Sequence, residues 1–112
     1  MKDKNLFLTT VLDSIDRIQE YTQGYSSEEF LVDRKTQDAV IRNLEIIGQA
    51  LKDYGIDELV ALDPGTPWYK IAGMRNILAH QYLGVDLLLL WETVQQQLGS
   101  LRTAVENALK VT

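Results

Sequence analysis

Proline occurs only twice in this 112-residue chain, at positions 64 and 67. Proline removes a backbone donor and clashes with the preceding helical turn. Its confinement to one short stretch leaves long segments on both sides free to be helical. The apolar residues of those segments recur at helical spacing, and none keeps a sustained strict alternation. The expected fold class is all-α. The expected architecture is an up-and-down helical bundle of four main helices plus short helical segments, forming one domain over residues 1–112.

The spacing predicts a first helix over about residues 5–23, with Leu8, Val11, Leu12, Ile15 and Ile18 on one stripe and Gly24 as its C-terminal stop. Ser26 or Ser27 then caps a short helix whose first turn holds Glu28 and Glu29. A third helix is expected over about residues 34–54. In it Val40, Leu44, Ile47, Leu51 and Tyr54 step by alternating fours and threes, and Gly55 ends it. Residues 55–67 form the one long connection, with a single helical turn at 56–62. Thr66 and Pro67 read as N-cap and first residue of the next helix, which carries Trp68, Ile71, Ala72 and Met74 and ends near residues 82–83, before Gly84. Asp86 caps the last helix, expected to run to about residue 110 with Leu87, Trp91, Val94, Leu98, Leu101, Val105 and Ala108 at heptad-like spacing. The short connection at 83–86 makes these last two helices expected antiparallel neighbours.

Charge and composition narrow the function. Eleven Lys and Arg against sixteen Asp and Glu give a net charge of −5, which argues against general nucleic-acid coating and makes DNA an unexpected partner. A local basic cleft is still compatible with that balance. The absence of Cys excludes disulfides, a cysteine nucleophile and thiolate metal sites. A single His excludes a poly-His metal site, or any mechanism that needs two histidines, within one chain. No metal site or cofactor is expected. The longest uninterrupted apolar run is Leu87–Trp91, against the roughly 20 residues of a membrane span. The first residues, Met-Lys-Asp-Lys-Asn, do not lead into a signal sequence. A cytoplasmic location without membrane association is therefore expected. Helix three carries a second stripe, Ala39, Ile41, Ile46 and Ala50, beside its first. One small bundle does not easily bury so wide an arc, so a two-fold homodimer is expected. The heptad stripe of the last helix is read as core within one chain, with a seam to a second chain as its alternative.

The most polar part of an otherwise apolar helix is Arg75-Asn76-Ile77-Leu78-Ala79-His80-Gln81-Tyr82. A lone histidine on a helix is ordinarily solvated or bonded to a neighbour, and an arginine ordinarily pairs with a carboxylate. Helical geometry groups Asn76 with His80, four apart, and Arg75 with Tyr82, seven apart. Arg75 and His80 lie about 140° apart on a continuous helix. They converge if the long arginine side chain curls round, if the helix bends or ends between them, or if a second chain supplies its own copy.

These residues match the R-x4-H-x-Y motif, and the chain resembles the HepT-like toxin branch of the HEPN-superfamily ribonucleases. The likeness extends through Asp38–Gly48, through Pro67–Asn76 before the motif, and through Val85, Asp86, Trp91 and Val94 after it. Gln49 stands where that branch usually has Glu. The resemblance implies a metal-independent endoribonuclease whose active site is a cleft between two protomers, with Arg75 and His80 catalytic in each. One histidine per chain then becomes two. Histidine is the side chain suited to taking the proton of a 2′-OH and protonating a leaving 5′-oxygen near neutral pH. Arg75 would hold the scissile phosphate and the charge that develops on it, and Asn76 would bond phosphate or orient His80. The same resemblance implies a toxin–antitoxin module. Its partner is a minimal nucleotidyltransferase, the MNT-type (MntA) antitoxin, which silences the nuclease by transferring AMP to Tyr82. Otherwise Tyr82 is an aromatic residue closing a helix end.

Asp38 and Arg42, four apart, suit an ion pair worth roughly 0.2–0.5 kcal/mol; their functional alternative is the rim of the RNA cleft. Lys70 is read as a solvated lysine, with RNA contact as the alternative. The runner-up function is a noncatalytic HEPN module that binds a nucleotide or substrate for a partner nucleotidyltransferase. A bare dimerisation bundle is a third reading, but it leaves the Arg/Asn/His/Tyr grouping without a role.

Overall fold

The computed structural model describes residues 3–80 and 86–111, with side chains described outside 75–80. Helix α1 spans Asn5–Thr22 and buries Leu8, Val11, Ile15 and Ile18, the stripe expected from the sequence; Leu12 is half-buried. Gly24 follows at φ +77°, a left-handed conformation that glycine adopts without a Cβ clash. Helix α2 (Ser27–Val32) opens on a reciprocal cap. The Glu29 amide donates to the Ser26 hydroxyl and the Ser26 amide to the Glu29 carboxylate, each at 3.1 Å.

Helix α3 (Arg34–Tyr54) is the spine. Its cap is Asp33, which accepts from the Thr36 amide at 3.1 Å, the Thr36 hydroxyl at 2.8 Å and the half-buried Tyr25 hydroxyl at 2.6 Å. These donors, Tyr25 foremost, favour the ionised form and hold the Asp33 carboxyl at about 2, below its ordinary 3.8. The Gln37 side chain donates to the Phe30 carbonyl at 2.8 Å, tying α3 to the end of α2. Val40, Leu44, Ile47, Leu51 and Tyr54 are all buried. So are Ile41 and Ala50 of the second stripe, while Ala39 and Ile46 are half-buried. One chain thus absorbs more of that stripe than its width suggested.

Residues 56–62 form α4 (Ile56–Leu62), two turns rather than one, pinned by buried Leu59. Gly55 precedes it at φ +117°. Helix α5 spans Trp68–His80 and α6 spans Leu87–Lys110. Asp86 caps α6 as expected, accepting from the Leu88 and Leu89 amides at 3.1 Å. From Val94 to Ala108 the stripe of α6 is core within the chain. Its first turns depart from the heptad reading. Leu90 is buried, whereas Leu87 and Trp91 are half-buried, and Trp91 meets Phe30 of α2 with ring centroids 5.2 Å apart.

Helix α1 lies along α3, and α6 packs on α1 and α2, with Arg102 bonded to Asp16 and Gln19. Helix α5 packs on the other flank of α3 and on α4. Helices α5 and α6 are neighbours that line one groove, through Ile71 and Met74 on α5 and Gln97 and Leu101 on α6, while α5 has its larger contact with α3 and α6 with α1. Among the described residues, no helix is long and apolar enough to cross a membrane.

Candidate active site

The start of α5 is fixed by a small network around Asp63. Its carboxylate accepts from the Gly65 amide at 3.1 Å and from the Thr66 hydroxyl. Its carbonyl accepts from the Trp68 indole N–H at 3.0 Å. Trp68 is fully buried, and its bond to Asp63 satisfies the one polar atom that burial would otherwise strand. Two sequence expectations change here. The Thr66 hydroxyl serves Asp63 instead of capping α5. The first i→i+4 bond runs from the Ile71 amide to the Pro67 carbonyl at 3.0 Å, so Pro67 is the cap residue and Trp68 the first helical one.

From that anchor α5 continues without interruption to His80 and carries Lys70, Arg75, Asn76 and His80. The helix does not end between Arg75 and His80, so their convergence does not come from a helix end there. At about 100° per residue, their register positions diverge by about 140° on one copy of the helix. The side chains of Arg75, Asn76 and His80, and all of Tyr82, lie outside what is described.

The other candidate residues separate into two places. Lys70 is exposed on α5 and lines the α5–α6 groove. Asp38 and Arg42 are exposed on α3, and neither lines that groove. Arg42 forms an ion pair with Glu45, three residues on, at 3.8 Å. Gln49, the departure from the expected Glu, is half-buried and donates to the Asp53 carboxylate at 2.8 Å. A glutamate there would face Asp53 with like charge, so the amide is the residue that suits this neighbour.

Sequence reasoning passed over the opposite wall of the groove. Gln96, Gln97 and Ser100 of α6 face Lys70, Ile71 and Met74 of α5 across a space of about 350 Å³. The available signal was the uncharged run Gln95-Gln96-Gln97 in a chain where charged residues make up 24%. It was silent without knowing which helix it would face.

Comparison with known proteins agrees with the family resemblance. The family model described as "Ribonuclease HepT-like" matches residues 11–108. A probable ribonuclease HepT of Thermococcus cleftensis is 43% identical over 104 residues, covering 93% of this chain and 94% of that protein. A putative RNase of Methanocaldococcus jannaschii is 36% identical over 105 residues, covering 94% of this chain and 95% of that protein. A longer M. jannaschii protein, named gamma-glutamylcyclotransferase and putative RNase, is 39% identical over 110 residues, which are 98% of this chain and 48% of that protein. No solved structure matches the chain. With almost its whole length matched by the family model and by these relatives, the chain belongs to the ribonuclease HepT-like family.

Proposed function

We propose that the protein is a metal-independent endoribonuclease whose active site is completed by two copies of the chain, with Arg75 and His80 as the catalytic residues. Family membership supports RNA cleavage as the activity. The observation that carries the shared site is the unbroken α5: with about 140° between their positions, one helix does not present Arg75 and His80 to a single face. A second copy, related by two-fold symmetry, supplies the missing side. It also supplies the second imidazole that acid and base catalysis require of a chain with one histidine. Leu88 and Leu89, six and seven residues after Tyr82, are 48% and 59% exposed, an apolar surface suited to cover by a partner chain.

In the proposed reaction one His80 removes the proton from a ribose 2′-OH, whose oxygen attacks the adjacent phosphorus. The P–O5′ bond breaks, and the second His80 protonates the departing 5′-oxygen. The products are a 2′,3′-cyclic phosphate and a 5′-hydroxyl. Arg75 pairs with the phosphate oxygens as charge builds on them, and Asn76 supports phosphate or imidazole. Cleavage of RNA by the wild type in EDTA, lost in His80→Ala and in Arg75→Ala with helical content retained, is the expected result. A strict divalent-metal requirement, or undiminished cleavage by either variant, contradicts it.

Regulation is proposed to run through Tyr82 within a toxin–antitoxin pair. Its phenol oxygen attacks the α-phosphorus of ATP on a partner nucleotidyltransferase of the MNT type, pyrophosphate leaves, and AMP stays on the tyrosine. Tyr82 lies seven residues after Arg75, so on a continuing helix the new phosphate would compete with RNA for that guanidinium. Intact-mass spectrometry after incubation with the partner and ATP should show about 329 Da added to wild type and nothing added to Tyr82→Phe. Full ribonuclease activity in the labelled protein contradicts silencing.

A further inference from the structure

The described residues that line the groove between α5 and α6 have no role in the chemistry above. Its floor is apolar, from half-buried Ile71 and Met74 and buried Leu101. Its rim is hydrogen-bonding but uncharged on the α6 side, through exposed Gln96, Gln97 and Ser100. On the α5 side its described lining includes one cation, Lys70. Among the described residues no carboxylate lines it, although the chain carries sixteen Asp and Glu against eleven Lys and Arg. At about 350 Å³ it falls in the range of small-ligand sites, roughly 300–1,000 Å³.

From this we infer that the groove is a nucleotide subsite, holding one nucleotide of a single-stranded RNA beside the cleavage site; the inference rests on the ribonuclease reading. The three chemical parts of a nucleotide match the three parts of the groove. The flat face of a base lies on Ile71 and Met74. Its hydrogen-bonding edge meets the carboxamides of Gln96 and Gln97, which offer both donors and acceptors. The phosphate meets Lys70. A second copy of the chain is a poorer occupant, because homodimer interfaces are more apolar than this rim. The groove also adjoins the proposed catalytic arginine. Ile71 lies on its floor, and Arg75 follows four residues later, one turn along the same side of α5. An acidic protein gains from this arrangement, since a grip on bases replaces part of the phosphate contact that its net charge of −5 opposes.

The test is an NMR titration of the full-length protein with AMP, GMP, CMP and UMP, using ribose 5-phosphate and inorganic phosphate as controls. The expected result is saturable shifts of the Gln96 and Gln97 side-chain amides and the Met74 methyl group, with affinity that depends on the base. Lys70→Ala should weaken binding roughly tenfold and Gln97→Ala roughly fivefold. Both positions are exposed, so folding should be intact. Equal shifts with ribose 5-phosphate alone, shifts confined to other residues, or shifts at these groups that track protein dilution rather than nucleotide each overturn the subsite. RNA cleavage by the wild type without nucleotide shifts in the groove overturns the subsite and leaves the nuclease reading standing. Base-dependent shifts without RNA cleavage do the reverse.

Discussion

The two flanks of α3 are built differently. Toward α1 and α6 the chain forms periodic stripes that close on one another, with Leu8, Val11, Ile15, Ile18, Val40 and Val105 fully buried. On the other flank α5 is anchored at its first residue by Trp68, rests on α3 and α4, and leaves an open groove toward α6. The closed side is where periodicity determines structure, since burying a stripe needs only its complement. The open side carries the motif. Its apolar residues are not gathered on one stripe. The proposed chemistry thus lies on the groove flank, whose own share of stability is concentrated where Trp68 anchors α5.

The largest separation is expected at His80. His80→Ala should lower RNA cleavage by about 10²–10⁴-fold while leaving the thermal midpoint nearly unchanged. Single-turnover rates and circular dichroism on the same preparation check both halves. A parallel collapse of fold and activity would mean that the motif helix is structural after all. The reverse pattern is expected at Trp68, where α5 joins the core. Trp68→Ala removes a fully buried indole and its bond to Asp63, and should cost about 3–5 kcal/mol in urea unfolding. Ile15→Ala on the closed flank should cost about 2–5 kcal/mol, whereas Gln97→Ala in the groove should stay within about 0.5 kcal/mol.

A smaller effect concerns pH. Asp33 titrates at about 2 in the folded chain, below its ordinary 3.8. A carboxyl depressed by folding contributes stability above its unfolded pKa and loses it as pH falls through the folded one. The contribution should be complete above about pH 4 and fade toward pH 2. Urea midpoints measured over that window should fall less steeply for Asp33→Asn than for wild type, and Tyr25→Phe should lie between them. The smallest effect is at Gln49. Gln49→Glu places like charge beside Asp53 and should cost a few tenths of a kcal/mol, about 0.2–0.5. A gain in stability would show that the Asp53 pairing does not explain the amide.

The closed flank was legible in the sequence because a stripe and its stops are local facts. Leu8–Ile18, Val40–Tyr54, Gly24, Gly55 and the Asp86 cap all stand where spacing put them. What was misread depends on contacts between distant segments. Thr66 looked like a cap, yet Asp63 takes its hydroxyl. Leu87 and Trp91 continued the heptad, yet Leu90 is the buried residue, while Trp91 stays half-buried with its ring against Phe30. At the candidate site, Arg75, Asn76, His80 and Tyr82 came from motif and resemblance. The groove wall of Gln96, Gln97 and Ser100 could not be read, since uncharged polar residues on a helix carry no mark of what they face.

The central claim is that one cleft needs both copies of His80. Wild type and His80→Ala should be mixed at fixed total concentration, allowed to exchange subunits, and assayed for RNA cleavage in EDTA. If each site requires two wild-type chains, activity follows the square of the wild-type fraction, so an equal mixture retains about one quarter of full activity. Activity that falls only in proportion, with about one half retained, would mean that each chain carries a complete site and would contradict the shared cleft.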